Sequence, residues 1–138
     1  MDWDPLVEAA RSALENAYAP YSGFKVGAAI LSPDSQIFVG CNVENRSFGS
    51  TICAERIAVG SAVSAGVTKL EAVAVITDMN PPAPPCGMCL QVLVEFGRLD
   101  LPILLVSLNG DRVESRLGDF HPHPFELPKA GLGLKPAD

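Results

Sequence analysis

The sequence has few basic residues and no long apolar run. Ten lysines and arginines stand against 16 aspartates and glutamates, which gives a formal net charge of −6. The basic residues are scattered singly, so the chain lacks the clustered basic face that binding to a nucleic acid backbone requires. Its apolar stretches are far shorter than the roughly 20 residues of a membrane-spanning helix. These absences disfavour nucleic acid and membrane partners and favour a small neutral or cationic molecule.

Cysteine is scarce, and the first residues lack the features of an export signal. The chain has four cysteines, and it opens with the acidic stretch MDWDPLVEAA where a signal peptide would have a basic region and an apolar run. We therefore expect a cytoplasmic protein in a reducing compartment, where thiols stay free. This expectation strongly lowers the case for a disulfide.

Apolar residues are abundant. They make up 48% of the 138 residues, which is typical of a compact globular fold. The length suits one hydrophobic core and is too short to expect two. We predict a single domain over residues 1–138, of which about residues 121–138 form a tail rich in proline and glycine.

Helical and strand patterns follow one another along the chain. Apolar residues at helical spacing predict a first helix from DPLVEAARSALENA, with Asp4 before Pro5 as its N-cap. Two further helices are predicted from residue 51 to 65 and from 86 to 97. Strands are predicted in FKVGAAILS, QIFVGCNVE, LEAVAVITD and PILLVSLNG, with RVESRL as a weaker edge strand. This order implies a layered α/β domain with a mixed sheet.

Two cysteines at C-x-x-C spacing, Cys86 and Cys89, follow a run of prolines at the start of a predicted helix. By itself this pattern fits a disulfide, a redox dithiol or part of a metal site. The stretch ICAER adds Cys53 at the start of another predicted helix. Helix N-termini favour thiolates because their free N–H groups and dipole are positive. If the two helices converge, three sulfurs can hold zinc and leave the fourth position to water, as in a catalytic site.

Glu55 lies two residues after Cys53 and supplies the remaining chemical group. A carboxylate beside a metal-activated water can act as general base and then as general acid. Taken alone, a glutamate in a first helical turn is more often a surface residue. Cys41 lies in a predicted strand and is expected in the core, and His121 and His123 are expected to be solvated in the tail.

The pattern C-A-E followed by P-C-G-x-C resembles the zinc-dependent nucleobase and nucleoside deaminases in their three-cysteine form. The whole chain is similar to the small homotetrameric cytidine deaminases. The matching stretches are YSGFKVGAAI, GCNVEN, ICAER and PPCGMC followed by QV. The resemblance implies a three-layer α/β/α fold with a mixed sheet of about five strands. It also implies a Zn²⁺ ion in each chain and hydrolytic deamination of cytidine and deoxycytidine.

The resemblance also assigns roles to individual residues. Cys53, Cys86 and Cys89 hold zinc, and Glu55 moves protons while water attacks C4 of the pyrimidine. The substrate contacts that the resemblance implies are Phe24 against the base or sugar, Asn42 and Glu44 at the ribose hydroxyls, the backbone of Ala54 at the ring, and Phe125 from a neighbouring subunit. Arg56 draws charge from the zinc-bound thiolates.

The sequence departs from the family pattern at Leu90 and at Arg46. Leu90 follows Cys89 where the family usually has a second arginine, and the loss of such a hydrogen bond is expected to cost about 1.5–3 kcal/mol of transition-state stabilisation. Arg46 stands where small residues are common. These two residues motivate an alternative substrate, either a modified or N4-substituted cytidine or a cytosine-nucleoside antibiotic of the blasticidin type. A zinc-stabilised binding protein and a C-x-x-C oxidoreductase are the weaker alternatives.

Overall fold

The computed structural model describes residues 1–128, which begin with a helix and a β-hairpin, continue with alternating helices and strands, and end with two consecutive strands and a short helix. The elements are α1 Asp4–Glu15, β1 Val26–Leu31, β2 Ile37–Cys41, a 3-10 turn Phe48–Ser50, α2 Ala54–Ser64, β3 Ala72–Thr77, α3 Gly87–Phe96, β4 Pro102–Ser107, β5 Arg112–Arg116 and α4 Leu117–Phe120. Within this range, none of the helices combines the length and the apolar character that a bilayer crossing demands.

The five strands form one mixed sheet in the order β2-β1-β3-β4-β5. The β3–β4 pair is parallel and is connected through α3, whereas the other neighbouring pairs are antiparallel. β3 is buried along its whole length, as its continuous apolar run predicts. β5 is a largely exposed edge strand. The predicted α/β fold with a mixed sheet is confirmed.

The sheet separates two hydrophobic cores because its strands alternate their side chains between the two faces. On one face, α1 packs against alternate residues of the central strands; this core contains Leu6, Val7, Ala10, Leu14, Ala29, Ala74, Ile76, Leu104 and Val106. On the other face, α2 and α3 pack against the intervening residues; this core contains Ala58, Val59, Leu93, Ala28, Ile30, Val73, Val75, Ile103 and Leu105. The architecture is therefore three layers, α/β/α.

The direction of the strands brings the starts of α2 and α3 to the same edge of the sheet. β2 and β3 both run antiparallel to β1, so they run parallel to each other. Their last residues, Cys41 and Thr77, pair with the adjacent residues Gly27 and Val26 at the beginning of β1. The loops that leave both strands therefore start at one edge, and each leads into a helix on the same face.

Several details of the sequence-based prediction differ from the structure. The helix predicted from residue 51 begins at Ala54. Trp3, not Asp4, is the N-cap of α1, and the Asp2 carboxylate accepts a hydrogen bond from the Asp4 backbone N–H at 3.0 Å. The short helix α4 was not predicted, because four residues are too few to show a helical period. It leads directly into the segment at 121–128.

Gly40 allows α2 to lie close to the sheet. An added Cβ at Gly40 would stand 2.3 Å from the carbonyl oxygen of Ala54 and 2.5 Å from the backbone nitrogen of Ala58. A methyl group therefore cannot enter without moving the N-terminal turn of α2. Gly60 lies on the exposed side of the same helix, and apart from its chain neighbours and the helix backbone no atom of residues 1–128 lies within 4 Å of its Cβ position.

We expect Gly40→Ala to lower the free energy of unfolding by about 2 kcal/mol or more, because backbone atoms must shift to admit the methyl group. The matched variant Gly60→Ala should raise it by about 0.5–1 kcal/mol, since alanine is the better helix former. Urea unfolding of both variants checks this. Equal stability of Gly40→Ala and the parent protein would contradict the close packing of α2 on β2.

Candidate active site

Three of the four cysteines converge where α2 and α3 begin. Cys53 is the N-cap of α2 and Cys86 is the N-cap of α3, and Cys89 lies in the first turn of α3. Their sulfur atoms lie within 4.8 Å of one another. Cys41 is a half-buried free thiol at the end of β2 and does not belong to this cluster.

The cluster fits a zinc ion in both geometry and donor chemistry. Sulfur-to-sulfur distances are 3.8 Å between Cys53 and Cys86 and 3.5 Å between Cys86 and Cys89. Tetrahedral zinc with bonds of about 2.3 Å to sulfur places its thiolates roughly 3.8 Å apart. Cys53, Cys86 and Cys89 are therefore the residues that could hold zinc.

The environment of Cys53 favours its thiolate form. Hydrogen bonds from Cys89 and then from Arg56 lower the pKa of the Cys53 thiol to about 5. The hydrogen bond to Cys53 and burial raise the pKa of the Cys89 thiol. Arg56 Nη2 donates to Cys53 Sγ at 3.6 Å and to the Thr51 carbonyl at 3.2 Å. Arg56 thus lies where a charge-relieving donor was expected.

Glu55 is buried beside the thiols, with 4% of its surface exposed. Burial, and to a lesser extent the charge of Cys53, raises the pKa of its carboxyl group to about 7. A carboxyl group with a pKa near neutrality can both accept and donate a proton under physiological conditions. The structure thus differs from the surface placement that is usual for a glutamate in a first helical turn.

The side chains of Asn42 and Glu44 both turn toward the segment that leads into β1. Asn42 Oδ1 accepts from the Val26 N–H at 2.9 Å, and its Nδ2 donates to the Phe24 carbonyl at 2.7 Å. Glu44 accepts from the backbone of Tyr21 and Ser22. Asn42 is almost completely buried, whereas Glu44 and Phe24 are partly exposed. Ala54 is fully buried as the first residue of α2.

The departures from the family pattern have different surroundings. Leu90 is buried in the core on the α2–α3 face of the sheet. Within residues 1–128, Arg56 is the one nitrogen donor that hydrogen-bonds a cysteine sulfur. A substitute for the second arginine is therefore not found in that part of the chain. Arg46 is exposed in the loop that follows Glu44.

The segment after α4 lies against α3 through Gln91. The Gln91 Nε2 group donates to the Phe125 carbonyl at 3.3 Å, and Gln91 Oε1 lies 3.0 Å from His121 Nε2. Phe125 is 70% exposed, so it does not enclose a site within its own chain. His121 is partly buried by this contact, in contrast to the solvated histidine that was expected, whereas His123 is exposed.

Sequence reasoning missed the polar residues that hold the two loops at the site. Ser22 bonds Glu44 through both its backbone and its hydroxyl. On the other loop, the Met79 N–H donates to Thr77 Oγ1 at 3.2 Å, and the Ser107 hydroxyl donates to the Met79 carbonyl. Thr77 and Ser107 are the last residues of the neighbouring parallel strands β3 and β4, and both are buried. A hydroxyl residue at the end of each apolar run was the signal in the sequence that could have identified them.

Residues 2–104 match the family model described as the cytidine and deoxycytidylate deaminase zinc-binding region. The chain belongs to this family. It is similar to the cytidine deaminase of Sporosarcina psychrophila, with 44% identity over 125 residues that cover 91% of this chain and 92% of the relative. It is also similar to a cytidine deaminase of Mycobacterium tuberculosis, with 42% identity and 92% of each chain covered.

Solved structures in the deaminase family have the same fold. The crystal structure of cytidine deaminase from Burkholderia pseudomallei superposes with a TM-score of 0.87 at 46% identity, covering 91% of this chain and all of that one. The corresponding structure from Mycobacterium tuberculosis gives 0.80 at 42% identity, with 92% and 99% covered. The protein is therefore an enzyme of the zinc-dependent hydrolase type, and zinc is its cofactor.

We expect Cys89→Ser to weaken zinc binding by more than about 100-fold. Mutation of a residue that only hydrogen-bonds a metal ligand can already lower metal affinity about 10–100-fold, and Cys89 is itself a ligand in this assignment. Cys41→Ser is the matched control and should keep a zinc ion per chain, since Cys41 lies outside the cluster. Metal analysis after dialysis against a chelator measures both. Zinc retention in Cys89→Ser, or its loss in Cys41→Ser, would contradict the assignment.

Proposed function

We propose that the protein hydrolyses cytidine and deoxycytidine to uridine and deoxyuridine with release of ammonia. The observation that carries this proposal is the buried Glu55 beside three thiols that converge at two helix N-termini. Three sulfur ligands leave one tetrahedral position open, which a purely structural zinc site would fill. The named activity of the relatives, cytidine deamination, supports the same reaction here.

In the proposed mechanism, Glu55 carries the protons. Zinc, when bound by the three cysteines, supplies Lewis acidity that lowers the pKa of a water molecule. Glu55 accepts a proton from the water that attacks C4 of the pyrimidine and delivers it to N3. It then takes the proton of the resulting C4 hydroxyl and delivers it to the amino group, which leaves as ammonia. Its pKa of about 7 suits both directions of transfer. Burial around Glu55 keeps bulk water from competing for these protons.

The substrate contacts are proposed on one side of this centre. Phe24 packs against the base or sugar, the backbone of Ala54 contacts the ring, and Asn42 and Glu44 bind the sugar. The Asn42 amide group has two N–H donors, of which one is used on the Phe24 carbonyl and the other has no hydrogen-bond acceptor within residues 1–128. Glu44 supplies a negative charge near the sugar that would repel a 5′-phosphate. We therefore propose a free nucleoside as the substrate.

A modified or N4-substituted cytidine is the second candidate substrate. The specific observation in its favour is that Leu90 is buried in the core and leaves Arg56 as the one cation at the thiolates within residues 1–128. An electron-rich zinc site would be slower on an unactivated amino group than on a better leaving group. A panel of cytidine, deoxycytidine and N4-substituted cytidines separates the two candidates.

We propose that the chain is a single cytoplasmic domain that assembles as a homotetramer and serves pyrimidine salvage. Exposed apolar side chains beside the site support self-association. Phe48 is 73% exposed and makes an edge-to-face contact with Tyr21, which is itself exposed. Val43 and Ile52 pair with each other and are also exposed. In such an assembly, Phe125 of a neighbouring copy completes the site.

We expect ammonia release from cytidine and deoxycytidine by the zinc-loaded protein, and a fall of about 1,000-fold in kcat for Glu55→Gln, because acid–base groups contribute 10²–10⁴-fold. Glu95→Gln, an exposed substitution on α3, is the control and should leave the rate unchanged. The zinc content of each variant is measured in parallel. A fully active, zinc-loaded Glu55→Gln enzyme would refute the proton-transfer role.

The native mass should be four times that of the chain. Phe48→Glu should produce smaller species, because an exposed aromatic ring that is buried on assembly is replaced by a charge. Light scattering coupled to gel filtration measures the mass, and the activity of the same fractions is recorded. A monomer with full activity would overturn the shared-site proposal and leave the deaminase reaction intact.

A further inference from the structure

The turn before β1 is held to Glu44 by three hydrogen bonds that converge on one carboxylate. Glu44 Oε1 accepts from the Tyr21 N–H at 3.0 Å and from the Ser22 N–H at 3.1 Å. Glu44 Oε2 accepts from the Ser22 hydroxyl. These hydrogen bonds, with that of the Ser22 hydroxyl as the largest cause, lower the pKa of the Glu44 carboxyl group. Ser22 therefore contacts both oxygens of Glu44.

The number of bonds determines how much of the carboxylate remains for a ligand. An ionised carboxylate offers about four lone pairs, two on each oxygen. The two backbone N–H groups fill Oε1, and the Ser22 hydroxyl takes one lone pair of Oε2. With the donors of residues 1–128 counted, a single acceptor position is left, on Oε2. Glu44 can therefore accept a hydrogen bond from one substrate hydroxyl. It cannot accept hydrogen bonds from two neighbouring hydroxyls, one on each oxygen.

The same hydroxyl of Ser22 is also connected to Phe24. The Phe24 N–H donates to Ser22 Oγ at 3.0 Å, so the Ser22 hydroxyl accepts one hydrogen bond while it donates another. The Phe24 carbonyl is in turn held by the Asn42 amide group at 2.7 Å. Ser22 thus links the Glu44 carboxylate to the backbone of Phe24.

We propose that Ser22 is a positioning residue that fixes the Glu44 carboxylate with one acceptor position directed to a sugar hydroxyl. This inference rests on the proposed function, because it takes the ligand of Glu44 to be the sugar of the nucleoside. Ser22 does not touch the reacting atoms. It acts through Glu44, and it selects nucleosides that retain at least one hydroxyl on the sugar ring.

The test compares kcat/KM for cytidine with kcat/KM for 2′,3′-dideoxycytidine, which lacks both ring hydroxyls. In Ser22→Ala the ratio of these two values should fall about tenfold, mainly through KM for cytidine, since a hydrogen bond to a charged group is being removed. Ser22→Thr keeps the hydroxyl and should retain most of the ratio. Ser12→Ala, at an exposed position of α1, is the control and should leave the ratio unchanged.

A double-mutant cycle with Glu44→Gln shows whether Ser22 acts through Glu44. In the Glu44→Gln background, Ser22→Ala should not change the ratio further. An equal fall for both substrates would mean that Ser22 only supports the fold and would overturn the inference. An unchanged ratio of the two kcat/KM values in Ser22→Ala would also overturn the inference. If Ser22→Ala does not fold, the cycle is run with Ser22→Cys, and the same outcomes decide.

The proposed function fails in a different way from this inference. A parent protein that releases no ammonia from either substrate contradicts the proposed function itself. An active parent protein with the same substrate ratio as Ser22→Ala contradicts only the role of Ser22.

Discussion

The convergence of two helix N-termini at one edge of the sheet is the constraint on which the site depends. It follows from the antiparallel pairing of β1 with both β2 and β3, which makes those two strands end side by side. Gly40 then lets α2 lie against the sheet, and α3 packs beside it. Only with both helices in place do sulfurs that are 33 residues apart in sequence, those of Cys53 and Cys86, come within 3.8 Å.

The pKa values of the acidic groups at the site differ because these groups are buried to different extents and have different hydrogen-bond partners. Burial raises the pKa of the Glu55 carboxyl group, which forms no salt bridge within residues 1–128, whereas hydrogen bonds from Cys89 and Arg56 lower the pKa of the Cys53 thiol. One small volume thus contains a thiolate that suits a metal and a carboxyl group that exchanges protons near pH 7. Glu44 is more exposed, and its hydrogen bonds with Ser22 and Tyr21 lower the pKa of its carboxyl group and so favour the ionised form.

Much of the fold could be predicted from the sequence, because its signals are local. The continuous apolar run of β3, the exposed edge strand β5 and the cysteines at two helix starts each show in a few residues. The contacts of Ser22 with Glu44 and of Gln91 with Phe125 could not be predicted, since they join residues 22 and 34 positions apart and depend on the path of the turns. Asn42 was expected to serve the ligand, and its amide group also holds the chain's own backbone at Phe24 and Val26.

The most direct measurement of the central claim is X-ray absorption at the zinc edge of the loaded protein. We expect a shell of three sulfur atoms at about 2.3 Å and one lighter atom, because three cysteines leave one tetrahedral position open. Four sulfur atoms would mean that Cys41 closes the site, which would make the metal structural. Fewer than three sulfur atoms would contradict the convergence of α2 and α3 on a common metal.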